Sequence, residues 1–368
     1  MSKIEDLVIK LCPNGVPKLK LHELAEIGTG NSDRKDAVED GEYPFYVRSK
    51  DILKINKYEY DETAIVIPGE GGIGEIFHYV EGKYALHQRA YRIHVIDNRL
   101  NTKFLYYYMS SMFKKFIVKK AVSATVTSIR KPMIEQFPVP VPPLEVQCEI
   151  VHILDDFTSL SLELSAELEA RKQQYDYYKY TLLSIEGNEY KLGDIANFKT
   201  GSKPKEILEE GKYEYINAGT TNSGYSNEFN FEGNKVTTPS RGEGGIGFVG
   251  YQNDNFWLGP LCYAIWSKDE EVIINKYLYY ELSSKKDEIL KRKNTGGVPA
   301  LNGCDLKTIP INVPTIDEQK RIVKILDSFE KICENKIDGL PAEIEARKQQ
   351  YEYYRDKLMS FKEVEVSE

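Results

Sequence analysis

Glu169-Ala170-Arg171-Lys172-Gln173-Gln174-Tyr175 returns unchanged as Glu345-Ala346-Arg347-Lys348-Gln349-Gln350-Tyr351, 176 residues later. Both copies continue with an acid and a tyrosine pair, Asp176-Tyr177-Tyr178 and Glu352-Tyr353-Tyr354. A repeat of this period means that one supersecondary design has been built twice, so any function must account for two related halves.

The correspondence extends outward from the motif. Leu21-His22-Glu23-Leu24-Ala25-Glu26-Ile27 parallels Leu192-Gly193-Asp194-Ile195-Ala196-Asn197-Phe198, and Gly69-Glu70-Gly71-Gly72-Ile73-Gly74 recurs as Gly242-Glu243-Gly244-Gly245-Ile246-Gly247. Phe104-Leu105-Tyr106-Tyr107 matches Tyr277-Leu278-Tyr279-Tyr280, and Pro138 to Phe157 parallels Pro310 to Phe329, with Gln147 opposite Gln319. The order is kept while the stretches between differ, which describes one architecture carrying two surfaces.

Ala64 to Ile67, Tyr91 to Ile96, Phe248 to Tyr251 and Leu261 to Trp266 read as strands. Apolar residues at helical spacing predict a helix from about Lys103 to Val118 and a partner from Lys276 to Lys291. Each half is thus a mixed α+β domain. The runs at 138–143 and 310–314, with prolines closely spaced, are expected to be extended, because proline disfavours helix for itself and its predecessor. A long helix follows each. In the first, Ile150, Ile153, Leu154, Phe157, Leu160, Leu164, Leu168, Tyr175, Tyr178 and Leu182 form a seam at three- and four-residue steps. At ~1.5 Å per residue, about forty residues make a rod on the order of 60 Å long. The second helix is interrupted at Gly339-Leu340-Pro341, which predicts a kink or restart. One helix cannot bury such a seam alone. The two either pair antiparallel or each packs on its own domain, and the shared seam favours the pair.

Composition narrows the function. Hydrophobic residues make up 41% of the 368, enough for real cores. The five cysteines include no CxxC pair, which argues against a zinc site or a secreted disulfide scaffold. The sequence shows no signal-peptide pattern and no membrane-length apolar run, so a soluble cytoplasmic protein is expected. The net charge of −8 is unevenly placed: residues 1–137 hold 21 basic and 18 acidic side chains, residues 138–187 hold 3 and 9. Basic clusters recur at matching places, Lys114-Lys115, Lys119-Lys120 and Arg130-Lys131 in one half, Lys285-Lys286 and Lys291-Arg292-Lys293 in the other.

No catalytic constellation emerges. His78, His87 and His94 lack metal-triad spacing, and the second half has no histidine although duplicated catalysts would both need their chemistry. The glycine loops lack the Lys-Ser/Thr of a triphosphate loop and precede β-like sequence, so each reads as a tight turn or as backbone approaching a phosphate chain. What both halves do supply is a set suited to DNA: Arg and Lys for guanine, Asn and Gln for adenine, small polar residues for phosphate. In the first half these are Arg48, Ser49, Lys50, Gly71, Gly72, His87, Gln88, Arg89, Thr125, Thr127, Ser128 and Arg130. In the second they are Asn217, Thr220, Thr221, Asn222, Ser240, Arg241, Gly244, Gly245, Thr295 and Gly296.

The repeated helix motif, the Pro-x-Pro runs, the opening Leu-(Gly/His)-(Asp/Glu)-(Ile/Leu)-Ala and the segment Gly339 to Lys348 together resemble the DNA-specificity (S) subunit of type I restriction–modification systems. The resemblance covers nearly the whole chain. It implies an α+β fold with two duplicated mixed α/β target-recognition domains separated by two long helices forming an antiparallel coiled coil. The boundaries expected are 1–143 and 188–314 for the recognition domains, 144–187 and 315–368 for the spacer helices. The resemblance further implies double-stranded DNA as ligand, one half of a bipartite site per domain, and docking of two methyltransferase (M) subunits and of restriction (R) subunits. The docking residues expected on the repeat are Arg171, Lys172, Gln174, Tyr175, Tyr178, Arg347, Lys348, Gln350, Tyr351 and Tyr354. By the same resemblance the chain binds no cofactor; S-adenosylmethionine belongs to the M subunits, ATP and magnesium to the R subunits. The rival readings are a self-contained nucleotide-binding DNA-modifying enzyme and a scaffold without DNA specificity.

Overall fold

The computed structural model describes residues 3–120, 128–242, 244–294, 299–334 and 338–364. The chain forms two compact units, one from residues 1–164 and 344–368, the other from residues 165–343.

In the first unit, six strands lie in the order Ala25–Thr29, Ala90–Val95, Tyr60–Pro68, His78–Leu86, Tyr43–Tyr46, Ile52–Ile55. All neighbours are antiparallel except Tyr43–Tyr46 and His78–Leu86, which pair in parallel through Phe45–Ala85 and Tyr46–Leu86. The unbroken apolar run at Ala64 to Ile67 follows from burial on both faces. Ile65 and Ile67 point to Phe104, Leu105, Met109 and Phe113 of the helix Thr102–Lys120, while Ala64 and Val66 join Tyr46, Val80 and Tyr84 opposite. Pro138–Pro140 is extended as expected and pairs with Lys18–Lys20.

The helix Leu144–Leu183 starts on this domain and is fixed to it by a few polar locks. Gln147, fully buried, accepts the Asn101 backbone N–H at 2.8 Å and donates to the carbonyls of Arg99 and Pro142, both at 2.7 Å. Tyr107 donates to Asp155 at 2.5 Å. The helix Leu340–Leu358 runs against it: Phe157 lies 5.7 Å from the Tyr354 ring and 6.5 Å from Tyr351, while Ile150 shares a cluster with Leu358. Beyond that helix Met359 is buried in the same core, Phe361 meets Phe104, and the Val16 N–H donates to the Lys362 carbonyl at 2.8 Å. A helix Lys3–Leu11, not anticipated from the sequence, packs Ile4, Leu7 and Val8 into this cluster.

The second unit repeats the plan with shorter strands. A four-stranded sheet runs Ala196–Thr200, Cys262–Ser267, Lys235–Pro239, Gly250–Gln252, and a three-stranded one runs Tyr225–Ser226, Tyr213–Ile216, Trp257–Leu258, with the parallel pair again in Ile216–Leu258. Pro310–Val313 pairs with Asn188–Lys191. Two sequence expectations shift here. Strand begins at Gly250 rather than Phe248, because Gly247 (φ +95°) turns the chain and the Phe248 N–H closes onto the Gly245 carbonyl. The helix expected at 276–291 is two, Asn275–Ser284 and Lys286–Lys291. Ser283 and Ser284 hydroxyls occupy the carbonyls of Tyr280 and Glu281, and such back-bonding weakens a helix where it occurs.

The locks also recur. Gln319 accepts the Ile274 N–H and donates to Val272 and Pro314, all at 2.9 Å, and Tyr280 donates to Asp327 at 2.6 Å. Residues 165–183 pair antiparallel with the helix Ile316–Glu334: Tyr175 and Tyr178 lie 6.3 and 5.4 Å from Phe329, and Arg171 and Lys172 neighbour Cys333. In each unit, then, the repeated tyrosines of one half seat on the helix start of the other. The interruption near Pro341 is a restart, with a new helix opening at Leu340.

Candidate nucleic-acid interface

In the first domain, four turns meet at one end of the sheet. The connection after Tyr43–Tyr46 carries Arg48, Ser49 and Lys50; the turn between His78–Leu86 and Ala90–Val95 carries His87, Gln88 and Arg89. The glycine loop joins Tyr60–Pro68 to His78–Leu86, and its Glu70 bridges to Ser128. Glu70 binds Arg48 Nη1 at 2.9 Å and Arg89 Nη1 at 3.1 Å, so residues 41 positions apart become neighbours. The two guanidiniums, Arg89 foremost, hold the Glu70 carboxyl below its ordinary range. Arg48, Lys50, Gly71, Gly72, Gln88, Arg89, Ser128 and Arg130 are exposed.

Other members of the set are placed differently. His87 is buried, stacked on Phe45, and its Nδ1 accepts the Arg89 backbone N–H at 2.9 Å. Burial, then the charges of Arg48 and Arg89, lowers its pKa, so the ring is neutral and shapes the turn rather than facing solvent. Gln88 donates to Asp33 at 2.9 Å, and the Ser49 carbonyl contacts His78 Nε2 at 3.3 Å. Thr125 and Thr127 lie outside the described residues.

The glycine loop is a strand-to-strand turn, with a strand from His78 following it where a phosphate loop would need a helix. Gly74 (φ +69°) rests on the backbone of Lys114, where a Cβ would come within 2.9 Å of its Cα. Gly247 (φ +95°) lies against the Leu290 side chain, which would stand 3.1 Å from a Cβ there. By contrast, a Cβ at Gly71 would meet nothing within 4 Å, so that backbone is open to an incoming partner.

The second domain gathers fewer of its expected residues. Gly245 abuts Gly219, which brings the loop with Thr220, Thr221 and Asn222 beside the second glycine loop. Arg241 is exposed and pairs in a bridge with Ala300, and Gly244 is open. Gly245 and Ser240 are buried, so neither presents a side of the loop to solvent. Asn217 is half-buried, its Oδ1 accepting the Leu261 N–H at 3.0 Å, and Asn222 donates to Glu214 at 3.2 Å. Thr295 and Gly296 lie outside the described residues.

On the repeated helix motif, Tyr175 is buried against Phe329 and Tyr351 is partly buried beside Phe157, so these two hold helices together within the chain. Tyr178 and Tyr354 keep 42% and 38% of their surface exposed, but Tyr177 and Tyr353 keep 66% and 64%. Nothing in the repeat itself distinguishes the two tyrosines of each pair, since exposure is decided by which face the partner helix covers. Arg171 bonds Glu167 and Gln174, and Arg347 bonds Gln350. Lys172 and Lys348 are exposed.

His94, like His78 and His87, is engaged by the protein: its Nδ1 lies 2.9 Å from the Thr63 carbonyl. Among the described residues no cluster of three His, Cys, Asp or Glu side chains has the layout of a metal site, and no described helix is long and apolar enough to cross a membrane.

Comparison with known proteins agrees with this layout. A family model described as the type I restriction modification DNA specificity domain matches twice, over residues 13–171 and 185–346. A putative type I restriction enzyme specificity subunit of Haemophilus influenzae is 29% identical over 87% of this chain and 89% of its own length. A type I restriction enzyme specificity subunit of Escherichia coli is 33% identical over 73% of each chain. The crystal structure of a type I restriction–modification S subunit from M. genitalium superposes with a TM-score of 0.68 at 22% identity, covering 93% of this chain and 95% of that one. With two copies of the domain spanning most of its length, the chain belongs to the DNA-specificity subunits of type I restriction–modification systems, whose part is DNA recognition and not catalysis.

Proposed function

We propose that residues 1–143 and 188–314 each read one half of a bipartite double-stranded DNA site, and that 144–187 and 315–368 set the separation between them. The observation that carries this reading is the exposed rim of the first domain, where Arg48, Lys50, Gly71, Gln88, Arg89 and Ser128 are drawn from four separate turns to one end of the sheet. The second domain carries a different set, Arg241, Gly244, Thr220 and Thr221, beside its own glycine loop. Same scaffold, different side chains is what two unlike half-sites require.

The repeats serve as two equivalent docking surfaces for two M subunits. Lys172, Gln174 and Tyr178 with Lys348, Gln350 and Tyr354 form these surfaces, Arg171 and Arg347 flank them, and the exposed Tyr177 and Tyr353 are their aromatic anchors. R subunits join the assembled complex. S-adenosylmethionine is held by the M subunits, ATP and magnesium by the R subunits, and the complex acts on cytoplasmic DNA.

The test is co-expression with the M subunit followed by single-molecule sequencing of methylated adenines. A bipartite consensus is expected, and Arg241→Ala should change only one half of it. Methylation without sequence preference, or loss of M-subunit assembly in Arg241→Ala, refutes the assignment.

A further inference from the structure

A DNA-reading rim has little evident use for an exposed acid, yet Glu70 stands at its centre. One oxygen, Oε2, takes Nη1 of both Arg48 and Arg89. Among the described residues neither arginine donates from Nε or Nη2 to the protein, and Glu70 Oε1 accepts nothing. The side chains of Arg48, Arg89 and Glu70 are 42%, 58% and 40% exposed. The cluster therefore presents two planar donor edges and one acceptor, side by side and held in place.

The support beneath is rigid. The Arg89 backbone N–H is held by the buried His87 ring, itself stacked on Phe45, and Glu70 stands in a β-bridge to Ser128. The chemistry of the set selects its ligand. A free guanidinium edge matches O6 and N7 of guanine, and a carboxylate oxygen accepts the N4 amino group of cytosine. A phosphate offers acceptors only, and at this position it would meet the Glu70 carboxylate as a like charge. A mixed donor–acceptor array fits a base-pair edge instead.

The geometry points to Arg48, Glu70 and Arg89 acting as one unit that reads G·C in the major groove, at the half-site of the first domain. Glu70 sets the spacing of the two guanidiniums and accepts from cytosine. The inference rests on the proposal that this domain reads DNA. It is confined to one half-site: counted from the parallel pairs Tyr46–Leu86 and Ile216–Leu258, the second domain has Ala218 and Leu261 where the first has Arg48 and Arg89.

The experiment is adenine-methylation sequencing of the full chain co-expressed with its M subunit, as wild type, Glu70→Gln, Arg89→Ala and Arg89→Lys. The wild-type consensus is expected to contain G·C in one half-site. Each variant should lose roughly 5- to 150-fold of discrimination at that pair, the range for one bidentate contact, while the other half-site stays unchanged and reports a folded protein. Arg89→Lys keeps the charge and loses the fork, so it should retain DNA affinity and lose discrimination. A retained consensus in Glu70→Gln, or an Arg89→Lys protein indistinguishable from wild type, overturns the inference and leaves the DNA-reading proposal standing. Methylation by the wild type with no sequence preference overturns both.

Discussion

Replacing Gln319 with leucine should loosen the second domain from its helix. The side chain is fully buried and satisfies three backbone groups: the Ile274 N–H and the carbonyls of Val272 and Pro314. Leucine nearly preserves the volume, so cavity formation is a minor part of the effect. What changes is that three backbone groups lose the partner that a fully buried side chain supplied, with the Pro314 carbonyl the most enclosed of them. A buried group left unsatisfied costs about 1–3 kcal/mol. The Ile274 donor has one bond to lose, while carbonyls tolerate loss better, so the sum should fall at about 3 kcal/mol. At roughly 2–4 °C per kcal/mol for a unit of this size, melting of the second unit should drop by about 6–12 °C. Hydrogen exchange gives a sharper assay, since the Ile274 amide should exchange on the order of a hundredfold faster, with little change at Asn101, the equivalent site on Gln147. Gln319→Glu should be at least as damaging, because a carboxylate can accept from Ile274 but cannot donate to the carbonyls. A Gln319→Leu protein that loses less than about 0.5 kcal/mol and keeps Ile274 protected would refute the idea that this glutamine ties domain to helix.

Three further outcomes follow from the same structure. Asp356 is partly buried, which alone would raise its pKa, but hydrogen bonds from Ser111, Lys115 and Arg355 bring it down to about 2. Its contribution is therefore present above the ordinary aspartate pKa and lost as pH falls toward 2; acid titration of first-unit stability should show this loss, and Asp356→Asn should not. Glu281 is buried and its pKa is raised by desolvation, against the pull of the Asn312 N–H and Lys285, so its ionisation is a liability that shrinks as pH falls through the raised value and is gone below the ordinary glutamate pKa. Glu281→Gln keeps an acceptor for Asn312 and should raise urea stability at neutral pH, with the gain shrinking in acid. Finally, the span between Phe and the repeated motif is 12 residues in the first copy and 16 in the second. Inserting one helical turn between Leu164 and Leu168 adds about 5.4 Å and should lengthen the gap between methylated half-sites by one or two base pairs; an unchanged gap would dismiss the helix as a ruler.

The duplication and the long helices were legible because they rest on identity and period, which a sequence carries directly. The run Ala64 to Ile67 was legible as strand, though not the reason for its unbroken apolarity, which needs both Phe104 and Tyr84 in view. The break at Lys285 was hidden because the helical pattern continues through it; only the hydroxyl bonds of Ser283 and Ser284 reveal it. A polar residue between two strands carries no mark of which way it faces, and His87, expected among the DNA contacts, is the buried floor of the turn. Glu70 carries no such signal in the sequence, because its role depends on two arginines, distant along the chain, meeting on one of its oxygens. In the helix motif the tyrosines were visible, but which of them faces the partner helix depends on Phe157 and Phe329, more than 150 positions from their contacts.

The seating of Met359 and Phe361 in the core of the first domain has a consequence for the order of events during synthesis. The second unit is contiguous, residues 165–343, and every group it needs has been made once the ribosome passes that point. The first unit, although begun earlier, lacks Tyr351, Leu358, Met359 and Phe361 until residues 351–361 have been made. Domains ordinarily fold in the order they are made. Here the earlier-born domain is the one that must wait, its apolar face at Phe104 and Ile150 open until residues 351–361 arrive to cover it.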